Sequence, residues 1–244
     1  MTATDPSTEP KQTIDPAPEQ IPYPPTGYAW FVVIVLMIFY TFSFLDRTIL
    51  NLMVEPIKRD LQINDTQMSI LMGASFAILY SVLGVPFGRL ADRRNRVWII
   101  GGGLFVWTMM TAACGAARNY TQLLFCRIGV GVGEATLSPS AYSMVADYFP
   151  PSKLGKALSV YSMGIFIGAG LAMGQCTESV GDQTLPIVGQ IYSWQVAFII
   201  IGLVGLLPLL LLFAVKEPVR RGVKTITGAD GESRIETVTL RQFW

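Results

Sequence analysis

Histidine is absent from the 244 residues, and only 14% of them are charged. The first absence removes the commonest metal ligand, the usual proton shuttle and every triad that needs an imidazole base. The second sets the chain apart from soluble domains, which carry about 25% charge. Cysteine is scarce as well: Cys114, Cys126 and Cys176 are odd in number and lack zinc-type spacing, so they read as free thiols rather than a disulfide framework. A net charge of +1 leaves no basic field, and no nucleic-acid partner is expected. No nucleophile and base, metal cluster or phosphate loop stands out, so the chain reads as neither an enzyme nor a cofactor carrier. Gly129, Gly131 and Glu134 fall short of a dinucleotide fingerprint and lie in an apolar run rather than after a strand.

What the chain has in abundance is apolar sequence, 51% of its residues. Its charges collect into short clusters, leaving stretches close to the roughly 20 residues a bilayer core requires. Six helices are predicted, over about 28–53, 67–87, 97–117, 122–145, 154–175 and 194–215. Trp30, Trp98 and Trp194 stand at predicted helix starts, where an indole can sit at headgroup level. Residues 1–27, with seven prolines and few large apolar side chains, read as a disordered leader. Residues 28–215 form the bundle, and residues 216–244 read as a polar central linker cut short before a seventh helix. Alternate loops divide Lys and Arg unequally, thirteen against three, which predicts both ends on the cytoplasmic side of a multi-pass membrane protein.

Small residues line helical faces: Gly73, Ala77, Ser81, Gly84 and Gly88 in the second helix, Gly164, Gly168, Gly170 and Gly174 in the fifth. Such faces let helices approach closely in lipid. Gly129, Gly131 and Gly133 add a heavy glycine load to the fourth helix, serving either tight packing or a neighbour that must slide.

Four ionisable residues fall inside predicted spans: Asp46 and Arg47 in the first, Arg127 and Glu134 in the fourth. Each would cost roughly 2.5–3.5 kcal/mol at the bilayer centre and so needs a partner or a water-filled cavity. Arg127 and Glu134 are seven residues apart and share one helix face, whereas the adjacent Asp46 and Arg47 diverge by about 100°. The economical arrangement sets the first and fourth helices side by side, with Asp46 near Arg127 and Arg47 near Glu134 or in the cavity. A network of this kind either pins two helices together or carries protons. In the second case an anion competing for an arginine releases a carboxylate to take up a proton.

The loop Gly88-Arg89-Leu90-Ala91-Asp92-Arg93-Arg94-Asn95-Arg96 resembles the signature loop of the major facilitator superfamily, with Asn95 where that pattern has glycine and Val97 where it has lysine. Asn tolerates the left-handed backbone such a glycine often supplies. Arg127, Gly131 and Gly133 resemble a second motif of the family, and YFPPSKLGKALSVY (148–161) its turn into the fifth helix. Within the superfamily, FSFLDRTILNLMVEPIKRDLQIND and RIGVGVGEATLSPSAYSMVADYFPP look most like the Spinster-like transporters, over about residues 28–220.

The resemblance implies an all-α membrane protein, the six-helix N-terminal half of the major facilitator fold, made of two three-helix inverted repeats. It implies a proton-coupled secondary transporter moving a small organic or lipid-like anion by alternating access, in a bacterial inner membrane. Asp46 and Glu134 are then the proton-coupling carboxylates, and Arg47 and Arg127 the arginines of the substrate cavity. Gly88, Asp92, Arg93 and Arg96 form a cytoplasmic gating loop, with Asp92 and Arg96 latching onto the second half of the fold. The expected partners are substrate, protons, the lipid bilayer and the missing C-terminal six-helix half. A non-transporting membrane module or an inactive half-transporter is the alternative.

Overall fold

A computed structural model describes residues 22–176, 183–185, 189–221, 225–227 and 233–235. The leader over 1–21 and most of the linker beyond Arg221 lie outside those residues.

The architecture is helical. It comprises α1 (Thr26–Leu52), α2 (Val54–Leu61), α3 (Asp65–Ser69), a π-turn (Ile70–Ala74), α4 (Ser75–Arg93), α5 (Arg96–Cys114), α6 (Tyr120–Glu134), α7 (Leu137–Tyr148), α8 (Pro151–Cys176) and α9 (Ser193–Val204), which tightens into a 3₁₀ turn over Leu207–Ala214. Two ribbons of three-residue antiparallel strands lie in the connections: β1 (Gln183–Leu185) with β2 (Gly189–Ile191), and β3 (Thr225–Thr227) with β4 (Ser233–Ile235).

Five helices among the described residues are long and apolar enough to cross a membrane: Thr26–Leu52, Asp65–Arg93, Arg96–Cys114, Pro151–Gly174 and Ser193–Ala214. They match five of the six predicted spans. The fourth, expected as one helix over 122–145, is divided at Ala135 and Thr136 into α6 and α7. Pro139 lacks the N–H that would bond the Ala135 carbonyl, and its ring crowds that turn. Thr136 instead turns back on Gly133, whose carbonyl accepts both its backbone N–H (3.3 Å) and its hydroxyl (2.8 Å).

Helix α1 packs along α8, while α5 lies between α6 and α9 and α4 packs on α6. Glycines set two of these approaches. A Cβ on Gly168 would stand 2.3 Å from the Thr41 carbonyl oxygen, and one on Gly133 would stand 2.6 Å from that of Gly103. These helices therefore touch backbone to backbone, as small residues in lipid allow. The second span departs from that expectation, since a Cβ on Gly73 or Gly84 would meet nothing within 4 Å. Gly73 and Gly84 therefore set no close helix approach, and of the glycines on that face only Gly88, at its end, comes near another helix, at Pro139 of α7.

The core runs through Val32, Leu36, Phe39 and Ile49 of α1 to Ile100, Leu104 and Trp107 of α5 and to Phe198 of α9. Much of the outer surface is also apolar, with Trp98, Phe125, Phe166 and Phe213 exposed, as suits a protein whose solvent is lipid. Trp98 is exposed at the start of α5; Trp194 is not, being fully buried with its indole N–H donating to Asp60 Oδ2 at 3.1 Å. A tryptophan at a helix start becomes a core anchor once an acceptor on another element claims its one donor.

Candidate functional site

Asp46 and Arg47 occupy consecutive positions on α1 and point to different sides of it, and α6 supplies a partner for each. Arg127 Nη1 lies 3.3 Å from Asp46 Oδ2. Arg47 brings both Nε and Nη2 to 2.7 Å from Glu134 Oε1, and Ser43, one turn earlier on α1, donates its hydroxyl to the same oxygen. One step on α1 rises about 1.5 Å, whereas the seven residues between Arg127 and Glu134 rise about 10.5 Å. The long arginine arms take up the mismatch, and the short carboxylates stay close to the helix axes.

The two pairs differ in surroundings. Asp46, Arg127 and Glu134 are each 1% exposed as residues, while the Arg47 side chain retains 27% of its surface. Arg47 spreads its guanidinium over a wall of rings, with Cζ 4.4 Å from the centroid of Phe76, 5.1 Å from Phe44 and 5.2 Å from Tyr80. Such contacts hold a desolvated cation without neutralising it. Tyr40 and Tyr161, stacked at 4.6 Å, continue the aromatic wall, and Tyr80 donates to Ser138 Oγ at 2.8 Å. Arg47 thus lies on a half-open wall, whereas the Arg127 arm turns inward to Asp46.

Several buried polar atoms around these pairs make no hydrogen bond among the described residues, including Asp46 Oδ1, Arg127 Nε, Glu134 Oε2 and Thr111 Oγ1. Spare capacity on both carboxylates is what a proton-binding site needs, since a filled shell leaves an arriving proton no oxygen.

At the Arg96 end of the bundle a second network closes the signature loop. Arg96 is buried; its Nη1 meets Asp147 Oδ2 at 2.6 Å and Ser143 Oγ at 2.8 Å, and its Nε meets Glu217 Oε1 at 2.7 Å. Glu217 Oε2 accepts the backbone N–H of Arg96 (2.8 Å) and of Val97 (3.3 Å), so a carboxylate caps the N-terminus of α5, where the helix dipole favours an anion. Arg220 donates to the carbonyls of Ala91 and Arg94, and the Arg221 backbone N–H to Asp147 Oδ1 at 3.0 Å. Tyr148 donates to the Lys216 carbonyl at 2.6 Å.

The segment after the sixth span is thereby strapped across the loop. Arg96, expected to latch onto the second half of the fold, is hydrogen-bonded within this one by Asp147 and Glu217. Gly88 comes within 4.0 Å of Pro139 when a Cβ is added to it, and Asp92 and Arg93 are exposed at the loop surface. Asn95 has φ −62° rather than a left-handed backbone and accepts the Trp98 N–H at 3.2 Å, so it replaces the family's glycine as a helix cap.

Ser43, Thr111, Phe76, Tyr80, Asp147 and Glu217 were absent from the sequence expectation. Ser43 was within reach of it, because four residues before Arg47 means the same helix face. The others come from elements far away in sequence, and no local signal marks them.

A profile of the Major Facilitator Superfamily matches residues 36–244. A solved bacterial homolog of the human lysosomal transporter Spinster, inward-facing and unoccupied, superposes with a TM-score of 0.72 at 32% identity, covering 81% of this chain and 45% of that one. An MFS-type efflux pump of Mycolicibacterium smegmatis is 34% identical over 189 residues, 75% of this chain and 41% of the pump. Protein spinster of Drosophila melanogaster is 26% identical over 87% of this chain and 33% of its own. The chain spans less than half the length of each of these relatives. With its helical bundle, its signature loop and these similarities, the chain is a multi-pass membrane protein similar to Spinster-like proteins, and it belongs to the Major Facilitator Superfamily.

Proposed function

We propose that this chain forms the N-terminal half of a proton-coupled secondary transporter that moves a small organic or lipid-like anion by alternating access, with both ends of the half in the cytoplasm of a bacterial cell. The observation that carries the reading is the Arg47–Glu134 pair on the aromatic wall, where one partner is open and the other buried. An anionic head group arriving at Arg47 competes with Glu134 Oε1 for the guanidinium. Glu134, losing that partner in a low-dielectric setting, is neutralised by a proton, since an unpaired buried charge is too costly to persist. Substrate and proton then occupy the site together, and aromatic faces receive the apolar part of the substrate. Asp46 with Arg127 is the second protonation point, behind the wall. Hinge-like repacking fits the break between α6 and α7, which lies directly after Glu134.

The test is proton movement in proteoliposomes under an imposed pH gradient, using the transporter that contains this chain. Substrate-dependent proton flux is expected, with its loss in Glu134→Gln and in Asp46→Asn. Undiminished coupled flux in Glu134→Gln overturns the role given to the open pair.

A further inference from the structure

We propose that Asp46 exchanges its proton through a water site held by Thr111 in a cavity between α1, α5 and α9, whose lining shares no residue with the Arg47–Glu134 wall. The inference rests on the proton-coupling role proposed for Asp46 and adds the route and the residue that serves it. The cavity has a volume of about 10 Å³ and is lined by Asp46, Trp107, Thr108, Thr111, Gly202 and Gly205 among others, room for about one water.

Two of its lining residues carry fully buried atoms, Asp46 Oδ1 and Thr111 Oγ1, that make no hydrogen bond among the described residues. Thr111 and Trp107 nonetheless face that carboxylate. Thr108 offers no competing donor, since its hydroxyl is engaged with the Leu104 carbonyl at 2.8 Å. A single water bridging Asp46, Thr111 and the Trp107 indole would have the two to four polar partners that a buried water requires.

The room exists because α9 presents glycine here. A Cβ on Gly205 would sit 2.8 Å from Thr108 Cγ2, and one on Gly202 would sit 2.4 Å from the Ala112 nitrogen. The titratable and charged groups facing Asp46 are Arg127 and Glu134 from α6 and Cys114 from α5; the part of α9 that lines the cavity contributes Ile201 and the two glycines. Arg47, on the adjacent position, is turned to the aromatic wall and has no part in this route.

In the step itself an O–H bond of the bridging water breaks as one forms on Asp46 Oδ1. The oxygen left behind regains a proton from a hydronium ion arriving from bulk, while the Thr111 hydroxyl keeps its own proton and holds the water in place. The net change is one carboxylate and one hydronium becoming one carboxylic acid and one water. Thr111 is a positioning residue in this scheme, because it holds the water and is unchanged at the end.

The experiment is infrared difference spectroscopy of the full chain in lipid nanodiscs across a pH step, followed by transfer into deuterium oxide. The band lost in Asp46→Asn identifies the Asp46 carboxylic acid. Its hydrogen-to-deuterium exchange is expected to slow about tenfold in Thr111→Val, the consequence of one lost hydrogen bond, and to recover in Thr111→Ser. Phe166→Leu, on the exposed face of α8, leaves the rate unchanged. If the band is present and Thr111→Val exchanges at the parental rate, the route is wrong while the role of Asp46 stands. If no band disappears in Asp46→Asn, Asp46 carries no proton and both ideas fall. Should Thr111→Val not yield a folded bundle, Trp107→Phe removes the facing indole N–H and carries the same expectation and the same refutation.

Discussion

Asp46–Arg127 and Arg47–Glu134 join the same two helices from consecutive positions on one of them, yet one pair is sealed and the other open. In the sealed pair both side chains keep 2% of their surface or less; in the open pair the arginine keeps 27%. The sealed pair is also the longer, 3.3 Å against 2.7 Å. Contact distance therefore does not rank them. What separates them is how much of the penalty of leaving water each partner bears, and whether anything besides the partner can reach the charge. A residue that must answer to a substrate belongs in the open pair, and one that must hold a charge until a proton arrives belongs in the sealed one.

Breaking the sealed pair has the largest expected effect. Arg127→Met leaves Asp46 buried without its cation, and stability in detergent is expected to fall by about 3–5 kcal/mol, the usual penalty for half of a buried pair. Thermal or chemical unfolding measures this. Adding Asp46→Asn to that variant should restore much of the loss, because no uncompensated charge then remains. If the double variant is as unstable as the single one, the pair's energetics lie elsewhere. Arg47→Met should cost less, about 1–3 kcal/mol, because Glu134 keeps the Ser43 hydroxyl and lies beside an open wall. Its main effect falls on substrate affinity, read from concentration dependence of uptake. A loss of stability equal to that of Arg127→Met would erase the distinction drawn between the pairs.

Ser43→Ala sharpens the comparison further. It removes one of the three donors on Glu134 Oε1 and leaves the sealed pair untouched. A loss of about 0.5–1.5 kcal/mol is expected, in the same unfolding measurement.

The bundle and the partner assignment of the four intramembrane charges could be read from sequence because both depend on helix arithmetic. Apolar run length marks a span, and the azimuths of Asp46, Arg47, Arg127 and Glu134 leave few ways to pair them. The open or sealed character of each pair could not be read, since it depends on Trp107, Thr111 and Gly202 on one side and Phe76 and Tyr80 on the other. Those residues arrive from helices whose packing no periodicity encodes. The same limit applies at the Arg96 end. Asp147 and Glu217 lie far along the chain from Arg96, and their meeting follows from the strap across the loop. Pro139 is a different case, because its effect on the fourth helix is local. The missing N–H was visible in the sequence, and the apolar run around it simply outweighed it.

A third ion pair extends the series to its exposed limit and has the smallest expected effect. Lys58 Nζ lies 2.6 Å from Asp65 Oδ1, the shortest contact of the three, but Lys58 keeps 25% of its side-chain surface and Asp65 keeps 88%. The hydrogen bond to Asp65 holds the Lys58 ammonium above its ordinary proton affinity. A raised value in the folded state means that the contribution is fully present at neutral pH and is lost only as pH climbs through that raised value. That contribution is small, so Lys58→Met should leave unfolding unchanged within error near pH 7 and at higher pH alike. Solvent on both charges screens the attraction, and ordering a flexible lysine offsets what is left. A clear destabilisation by Lys58→Met at neutral pH would mean that distance, not burial, ranks the ion pairs of this protein, and the contrast between Asp46 and Arg47 would need another cause.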